Sequence, residues 1–583
     1  MQKGVAKLAL KIAGQQGEGV ESAGDVMAKA LNRLGYCLYG YRHFSSRIKG
    51  GHTSYNLRVS LTPVSAVADK FDIIIAFDQE SIDKNREHLR AGGVMLADAK
   101  INPLLAEDMD ARLYKVPFTD IAATNGLPMA KNMAAVGAAA VLLGIHTEVF
   151  AAVIADIFAH KAPKIIDDNL KVLQAGKEFL AGTDLPSVAE FSLAVADQAK
   201  RMFLIGNDAI ALGALAAGAK FMAAYPITPA SEIMEYLVQK LPTYGGTVIQ
   251  TEDEIAACTM AIGANYAGTR AFTATAGPGL SLMSESIGLA GMTETPLVVI
   301  DTQRGGPSTG LPTKHEQSDL MAVVYGTHGD VPKIVLAPST VEEAFFDTIE
   351  AFNLAEQYQC PVILLSDLQL SLGKQSVEPF DYERIEIKRG YLQTDPLPQL
   401  AKLAYYKRYD ITANGISPRV TPGTKNGVHL VTGLEHDQCG KPTESPSQRK
   451  AQMDKRLQKL QRLVKEYPVP VYSRSLVAPV QVLLIGIGST RGAIGEIIPK
   501  LEQDGVTVNH AHIRLVHPFP ADELALLVKQ AQKIIVIENN ASGQLANLLK
   551  MNVGNTKKVV SVLKYDGTPY SPAELYARCK EVL

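Results

Sequence analysis

Four segments of the 583-residue chain place reactive or ligand-binding residue types directly after an apolar run. Tyr225-Pro226-Ile227-Thr228-Pro229 follows one such run, and Ser231 and Glu232 come next. Two prolines stiffen the loop and fix where the Thr228 hydroxyl points, although a proline-rich turn with a helix cap is the plainer reading. Gln250-Thr251-Glu252-Asp253-Glu254 leads into IAACTMAIGANYAG. Acids in a first helical turn suit the helix dipole, so capping is one explanation. A helix so rich in Ala and Gly has to pack closely, and a carboxylate carried into a buried region needs a partner. Thr273-Ala274-Thr275-Ala276-Gly277-Pro278-Gly279 is a glycine turn that admits a ligand to backbone amides. Asp301-Thr302-Gln303-Arg304, followed by Gly305 and Gly306, closes a hydrophobic strand with an uncovered guanidinium. That fork suits a small carboxylate, and a structural salt bridge is the competing reading.

These residues need a scaffold that brings their loops to one edge. Residues 201–375 read as strands running into polar or glycine-rich loops: FMAAYPIT, GGTVIQTED, RAFTATAGPG, TPLVVIDTQRGG and CPVILLSD. In open parallel α/β sheets ligands bind at the carboxyl ends of the strands, where such loops converge. Residues 1–182 show the same rhythm, with KLALKIAG, FDIIIAF and GGVMLAD as strands and GQQGEGVESAGDVMAKALNRLGY as a loop opening into a helix. Ala151–Ala199 reads as mainly helical, and 183–200 as a linker. Residues 376–475 turn charged and proline-rich, with SPSQRKAQMDKRLQKLQRLVKEY as a charged helix. Residues 476–583 contain VQVLLIGIG, VNHAHIRL and KIIVIEN, a small third α/β domain. The fold class predicted is multidomain α/β.

Composition narrows the function. The chain is 46% hydrophobic and 20% charged, with 58 basic against 60 acidic residues and a mean hydropathy of +0.04. That balance gives nucleic acid or an anionic membrane no electrostatic handle. The apolar run Met133–Ile145 is too short to span a bilayer. The start MQKGVAKLALKIAG argues against a cleaved leader, so a cytoplasmic location is expected. Cys37, Cys258, Cys360, Cys439 and Cys579 are scattered without a CxxC, which disfavours a disulfide framework and a clustered-thiolate iron–sulfur site. Gly14-Gln15-Gln16-Gly17-Glu18-Gly19 fits a phosphate loop poorly and has no Walker lysine. The run from Ser45 to Ser54, with Arg47 and Lys49, suits a phosphate-rich ligand or an interface.

YPITPASEI, QTEDEIAA, TATAGPGLSLM, DTQRGGPSTGLPT and HGDVP resemble the α subunit of 2-oxoacid:ferredoxin oxidoreductases, particularly the 2-oxoglutarate type (2-oxoglutarate synthase). GQQGEGV and GYRHFSSRIKGGHTSYNLRVS resemble that family's γ domain, fused here ahead of the α portion. LVHPFP and ENNASGQL resemble its transketolase-C-like domain, and GLEHDQCG its connecting segment. The resemblance implies a γ domain over 1–182, a pyrimidine-type thiamine-diphosphate-binding domain over 201–375, a connecting segment over 376–475 and a transketolase-C-like domain over 476–583.

It further implies oxidative decarboxylation of a 2-oxoacid on thiamine diphosphate, acyl transfer to coenzyme A and reduction of ferredoxin, or the reverse CO2 fixation of a reductive TCA cycle. Glu254 would bond the aminopyrimidine, with Glu252 as fallback, and Thr228 and Arg304 would hold the substrate carboxylate. Tyr225, Pro226, Ile227 and Gly277 would line the cofactor with Glu254. No GDG motif followed by a suitable Asn is present, so the diphosphate site, Mg²⁺ and the [4Fe–4S] cluster are expected in a β subunit, in an (αβ)2 heterotetramer. Gln16 stands where the γ pattern has glycine. A second cation for 2-oxoglutarate is conceivable at Lys314, His315, Arg42 or Arg47. The alternatives are pyruvate or a branched or aromatic 2-oxoacid as substrate, a nucleotide-dependent dehydrogenase using GQQGEGV or Gly486-Ile487-Gly488, and a non-catalytic scaffold.

Overall fold

A computed structural model describes residues 4–44, 51–107, 109–159, 161–185, 190–399, 405–467, 469–470, 479–554 and 556–583. Arg47 and Lys49 of the basic loop, 186–189 of the expected linker and the expected boundary at 475/476 lie outside the described residues. Contacts divide the chain into two units, one of residues 1–204 with 372–379 and 570–575, the other of 205–371, 380–569 and 576–583.

In the first unit, strands Lys7–Gln15, Phe71–Ala76, Leu89–Asp98 and Ala111–Val116 pair in parallel. The alternation of Leu8, Leu10 and Ile12 sends one face into a core shared with helices Val20–Arg33 and Lys131–Leu143. Two strands that sequence periodicity did not single out, Cys37–His43 and His52–Ser60, continue the sheet antiparallel, and Lys374–Val377 and Met202–Ile205 close it. The helical reading of 151–199 holds only in part. Helices cover Glu148–Ile157 and Pro163–Ala181, and the described residues from 192 to 201 form no helix.

In the second unit, all five expected strands enter one seven-stranded sheet. Its order is Leu515–His517, Ile334–Leu336, Pro361–Asp367, Leu297–Gln303, Ala271–Thr275, Phe221–Ala224, Thr247–Gln250. Every pairing is parallel except that of Leu515–His517. The strands from Phe221 onward therefore end on the same edge. A separate four-stranded parallel sheet joins Val508–Ile513, Val480–Ile487, Ala531–Glu538 and Val559–Leu563. Its Leu483, Ile485 and Val536 share a core with Val299 and Ile363.

The charged helix of the connecting segment runs Pro446–Gln458, and part of it is buried rather than solvated. Lys455 and Lys459, wholly buried, hold Glu294 at 2.6 and 3.2 Å, and Arg456 reaches Glu435 at 2.7 Å. Unpaired, those charges could not be buried, so ion pairs fix the segment to the sheet domain.

Candidate active site

The sheet edge brings the four loops together, and local bonding fixes each. Asn207, fully buried, donates to the Pro229 carbonyl at 2.7 Å and anchors the Tyr225–Pro229 loop. Tyr225 is 40% exposed, whereas Pro226, Ile227 and Thr228 are half-buried. The helix that follows, Ser231–Lys240, is capped at Ala230 without a side-chain bond, so Ser231 does not serve as its cap.

The three acids at the next loop separate by role. Asp253 accepts the Ala256 amide at 2.7 Å and caps helix Glu254–Tyr266. Glu252 and Asp253 are exposed, while Glu254 is only 6% exposed. The Glu254 carboxylate accepts no hydrogen bond from the described residues. It lies against the first turn of helix Gly277–Met292, where a Cβ on residue 279 would stand 2.7 Å from Oε1 and 2.1 Å from Thr275 Oγ1. Gly277 opens that helix, and a Cβ there would meet both Asp319 carboxylate oxygens at 2.8 Å.

Arg304 is 6% exposed and forms no ion pair among the described residues. Its Nη1 donates to the Thr228 carbonyl at 2.6 Å and Nη2 to the Thr309 carbonyl at 3.3 Å, while Nε is buried without a partner. The salt-bridge reading thus gives way to a guanidinium held by carbonyls, with donor capacity left over. Arg304 lines a cleft of about 860 Å³ with Gly277, Ser281, Ser308, Glu316 and Asp319. Asn540 and Tyr565 from the C-terminal sheet region complete it. Asn540 Nδ2 donates to the Gln317 carbonyl at 3.0 Å, which ties this wall to the loop carrying Asp319. Burial raises the Asp319 carboxyl to about 6 against the opposing pull of Arg304, and burial also raises Glu316.

Sequence reasoning missed Asp301, Asp319 and Glu316 as site groups, and Gly279 as the residue that shapes the Glu254 pocket. Spacing carried no signal for the acids, because burial rather than residue type sets them apart. Of the cations conceivable for a second carboxylate, His315 is wholly buried, with Nδ1 accepting the Gln369 amide at 3.3 Å. Lys314 does not line the cleft, and Arg42 belongs to the first unit.

Of the glycine turns behind the dehydrogenase alternative, the one at Gly486-Ile487-Gly488 is filled by protein. At Gly488, a Cβ would meet Asp367 Oδ2 at 2.5 Å and Gln317 Nε2 at 2.9 Å. At the N-terminal loop, Glu18 accepts the Gln15 amide at 2.8 Å and pairs with Lys131 at 2.6 Å, so an anion already sits where a phosphate would bind.

The donor set fits one end of thiamine diphosphate, a buried carboxylate without a partner facing a glycine turn. Among the described residues no group of three or more His, Cys, Asp or Glu could hold a metal. No helix among them is long and apolar enough to cross a membrane.

Three family descriptions match the chain in succession. They are "Pyruvate ferredoxin/flavodoxin oxidoreductase" over 9–179, "Pyruvate flavodoxin/ferredoxin oxidoreductase, thiamine diP-bdg" over 212–455, and "Pyruvate:ferredoxin oxidoreductase core domain II" over 480–575. The chain is 32% identical to the 2-oxoacid:ferredoxin oxidoreductase 2 subunit alpha of Aeropyrum pernix, covering 99% of this chain and 98% of that one. It is 30% identical to the 2-oxoglutarate oxidoreductase subunit KorA of Mycobacterium tuberculosis, over 97% and 90%. Among solved structures it is similar to the 2-oxoglutarate:ferredoxin oxidoreductase of Magnetococcus marinus with 2-oxoglutarate, coenzyme A and succinyl-CoA bound. The identity is 35%, the TM-score 0.91, and 99% of each chain is covered.

Proposed function

This chain belongs to the 2-oxoacid:ferredoxin oxidoreductases as an α subunit with a γ-type region ahead of it, and on that premise we propose that it is the catalytic γα subunit of a 2-oxoglutarate:ferredoxin oxidoreductase. The reaction is 2-oxoglutarate with coenzyme A to succinyl-CoA, CO2 and reduced ferredoxin, or the reverse fixation, in the cytoplasm. The observation that carries the reading is Arg304, tied to the Thr228 and Thr309 carbonyls with Nε unpartnered, at the wall of the cleft.

Arg304 binds the carboxylate next to the reacting carbonyl by charge-assisted hydrogen bonds, and the Thr228 hydroxyl orients it. Glu254 holds and moves the proton at the aminopyrimidine end, and Tyr225, Pro226, Ile227 and Gly277 line the cofactor beside it when it is bound. Thiamine diphosphate, when bound, supplies the nucleophilic carbon and the electron sink for decarboxylation. A β subunit brings the diphosphate site, Mg²⁺ and the [4Fe–4S] cluster, in an (αβ)2 assembly that passes electrons to ferredoxin.

A second reading is favoured by the charge of the cleft. Arg304 is the one basic residue among the described residues that line it, against Glu316 and Asp319, which suits a monocarboxylic 2-oxoacid such as pyruvate. A kcat/KM panel of 2-oxoacids with the assembled enzyme under anoxic conditions tests both. The highest value on 2-oxoglutarate supports the first reading. A preference for pyruvate or a branched or aromatic acid replaces the substrate, and no turnover on any of them removes the reading.

A further inference from the structure

A second cavity, of about 530 Å³, opens at the other end of the central sheet. Gln357 and Tyr358 line it and stand just before strand Pro361–Asp367, whose first residue pairs with Leu297. Arg304 follows the far end of strand Leu297–Gln303, about 20 Å along the strand direction, so this cavity is separate from the candidate active site. Its size suits a small organic ligand.

The polar wall stands on a surplus of positive charge. Arg270, Arg389 and Arg419 converge on one carboxylate, that of the buried Glu356. Arg270 and Arg419 are buried with it, while Arg389 lines the cavity and has its Nε buried without a partner. Backbone carbonyls take further donors of all three, at Ala217, Lys388, Gly268 and Asn265. Carbonyls satisfy hydrogen bonds but leave the net charge in place. Burial pulls Arg270 down to about 10 against the attraction of Glu356, and the two neighbouring guanidiniums pull it the same way. Lys388 and Arg462 add cations to the lining. Their partners Glu386 and Glu466, at 3.2 and 3.9 Å, are exposed, so water and salt weaken both pairs. Lys459, the remaining basic residue of the described lining, is already held by Glu294.

Beside these cations the cavity presents an aromatic ring. Tyr391 is exposed, and its hydroxyl accepts Asn414 Nδ2 at 3.3 Å while its carbonyl accepts the Arg419 amide at 2.8 Å. Gly390, between Arg389 and Tyr391, has a φ of +56°, and a Cβ there would stand 2.4 Å from the Glu356 carbonyl. The loop therefore lies tight against the end of helix Val341–Tyr358, which fixes both flanking residues at the cavity.

We propose that this cavity binds a nucleoside phosphate, with Arg389, Lys388 and Arg462 on the phosphate and the Tyr391 ring stacked on the base. A bound anion offsets the positive charge that Glu356 alone leaves, which a neutral ligand does not. Arg389, Tyr391 and Arg462 belong to the connecting segment and Tyr358 to the sheet domain, so the ligand ties one to the other. The inference does not depend on the reaction proposed above.

Calorimetric titration of the full chain with ADP tests it, with inorganic phosphate and adenosine as comparison probes. ADP should bind at least about 10-fold more tightly than either. Arg389→Ala and Arg462→Ala should each weaken ADP by about 10- to 10²-fold, and Tyr391→Ala by about 10-fold. Arg462 is exposed, so Arg462→Ala should melt like the native chain when no ligand is present, which separates lost binding from lost folding. ADP should raise the Tm of the native chain and leave that of Arg389→Ala unchanged. Equal ADP affinity in the native chain and in both arginine variants overturns the proposal, because ADP then sits elsewhere, as at a coenzyme A site. Inorganic phosphate binding as tightly as ADP, or no binding of millimolar ADP, overturns it too.

Discussion

Gly279 and Glu254 meet so closely that a single added methyl group would collide with the carboxylate, standing 2.7 Å from both its Cγ and its Oε1. The glycine is in the first turn of helix Gly277–Met292, where the backbone has to pass over a buried acid. Alanine is the better helix former, so the residue is explained by the neighbour it spares.

Gly279→Ala should therefore lower turnover and, because the methyl group would also stand 2.1 Å from the buried Thr275 hydroxyl, stability with it. The methyl group displaces Glu254 by a fraction of its own size, and misplacement of a catalytic group on that scale costs about 10²-fold in rate. Steady-state kcat alongside a thermal melt checks this. Normal kcat would show that the position of Glu254 is unimportant.

Arg304→Lys should fail to rescue Arg304→Ala. A lysine cannot bond the Thr228 and Thr309 carbonyls and still present a planar fork to a carboxylate. Losing a charge-assisted hydrogen bond of about 1.5–3 kcal/mol lowers kcat/KM for the 2-oxoacid by about 10- to 10²-fold, with the coenzyme A KM little affected. Equal losses for both substrates would contradict the carboxylate role.

Glu294→Gln should loosen the connecting segment. The carboxylate joins two lysines that are themselves wholly buried, and its removal strands both charges. Breaking such a pair costs about 3–5 kcal/mol, visible as a lower Tm and as early proteolysis around helix Pro446–Gln458. A Tm equal to that of the native chain would contradict the packing described.

Acid stability should depend on two buried histidines. His510 Nε2 and His512 Nδ1 are 3.2 Å apart, and His512 Nε2 meets the Gly488 carbonyl at 2.9 Å. Burial lowers His512 to about 4 and holds His510 well below its usual value. Between the unfolded value of about 6.5 and the folded value, the unfolded chain binds protons that the folded chain does not. This contribution is therefore complete above about pH 6.5 and is lost as pH falls towards 4. Asp319 and Asp347, both raised to about 6, act with the opposite sign, so the comparison has to be differential. His512→Gln should flatten the fall of Tm between pH 7 and 5 relative to the native chain. An unchanged slope would contradict the assignment.

Much of the fold was legible because strands in a fully buried parallel sheet are short apolar runs with polar ends. FMAA, AFTAT, LVVIDTQ and PVILLSD each carry that mark, and all enter the central sheet together with the partly exposed edge strand TVIQ. Cys37–His43 was not legible, since Tyr39, Tyr41 and Arg42 give it no simple apolar period. The burial of Lys455 and Lys459 was hidden for a related reason, because their partner Glu294 is more than 150 residues earlier in the chain. At the site, Thr228, Arg304 and the group of acids at 252–254 stood out as candidates by residue type and strand-end position, and the family resemblance singled out Glu254 among the acids. Which of the three acids at 252–254 turns inward was settled by Asp253 taking the capping bond, a choice that composition does not encode. Asp301 looked like one more strand residue until its two unpartnered oxygens set it apart.

The most direct test of the central claim is ferredoxin reduction by this chain co-expressed with its β subunit under anoxic conditions, with thiamine diphosphate, Mg²⁺ and coenzyme A present. The account predicts reduction that requires both a 2-oxoacid and coenzyme A, and that disappears in Glu254→Gln while the assembly stays intact. Reduction that persists in the intact Glu254→Gln assembly, or that proceeds without a 2-oxoacid, would contradict it.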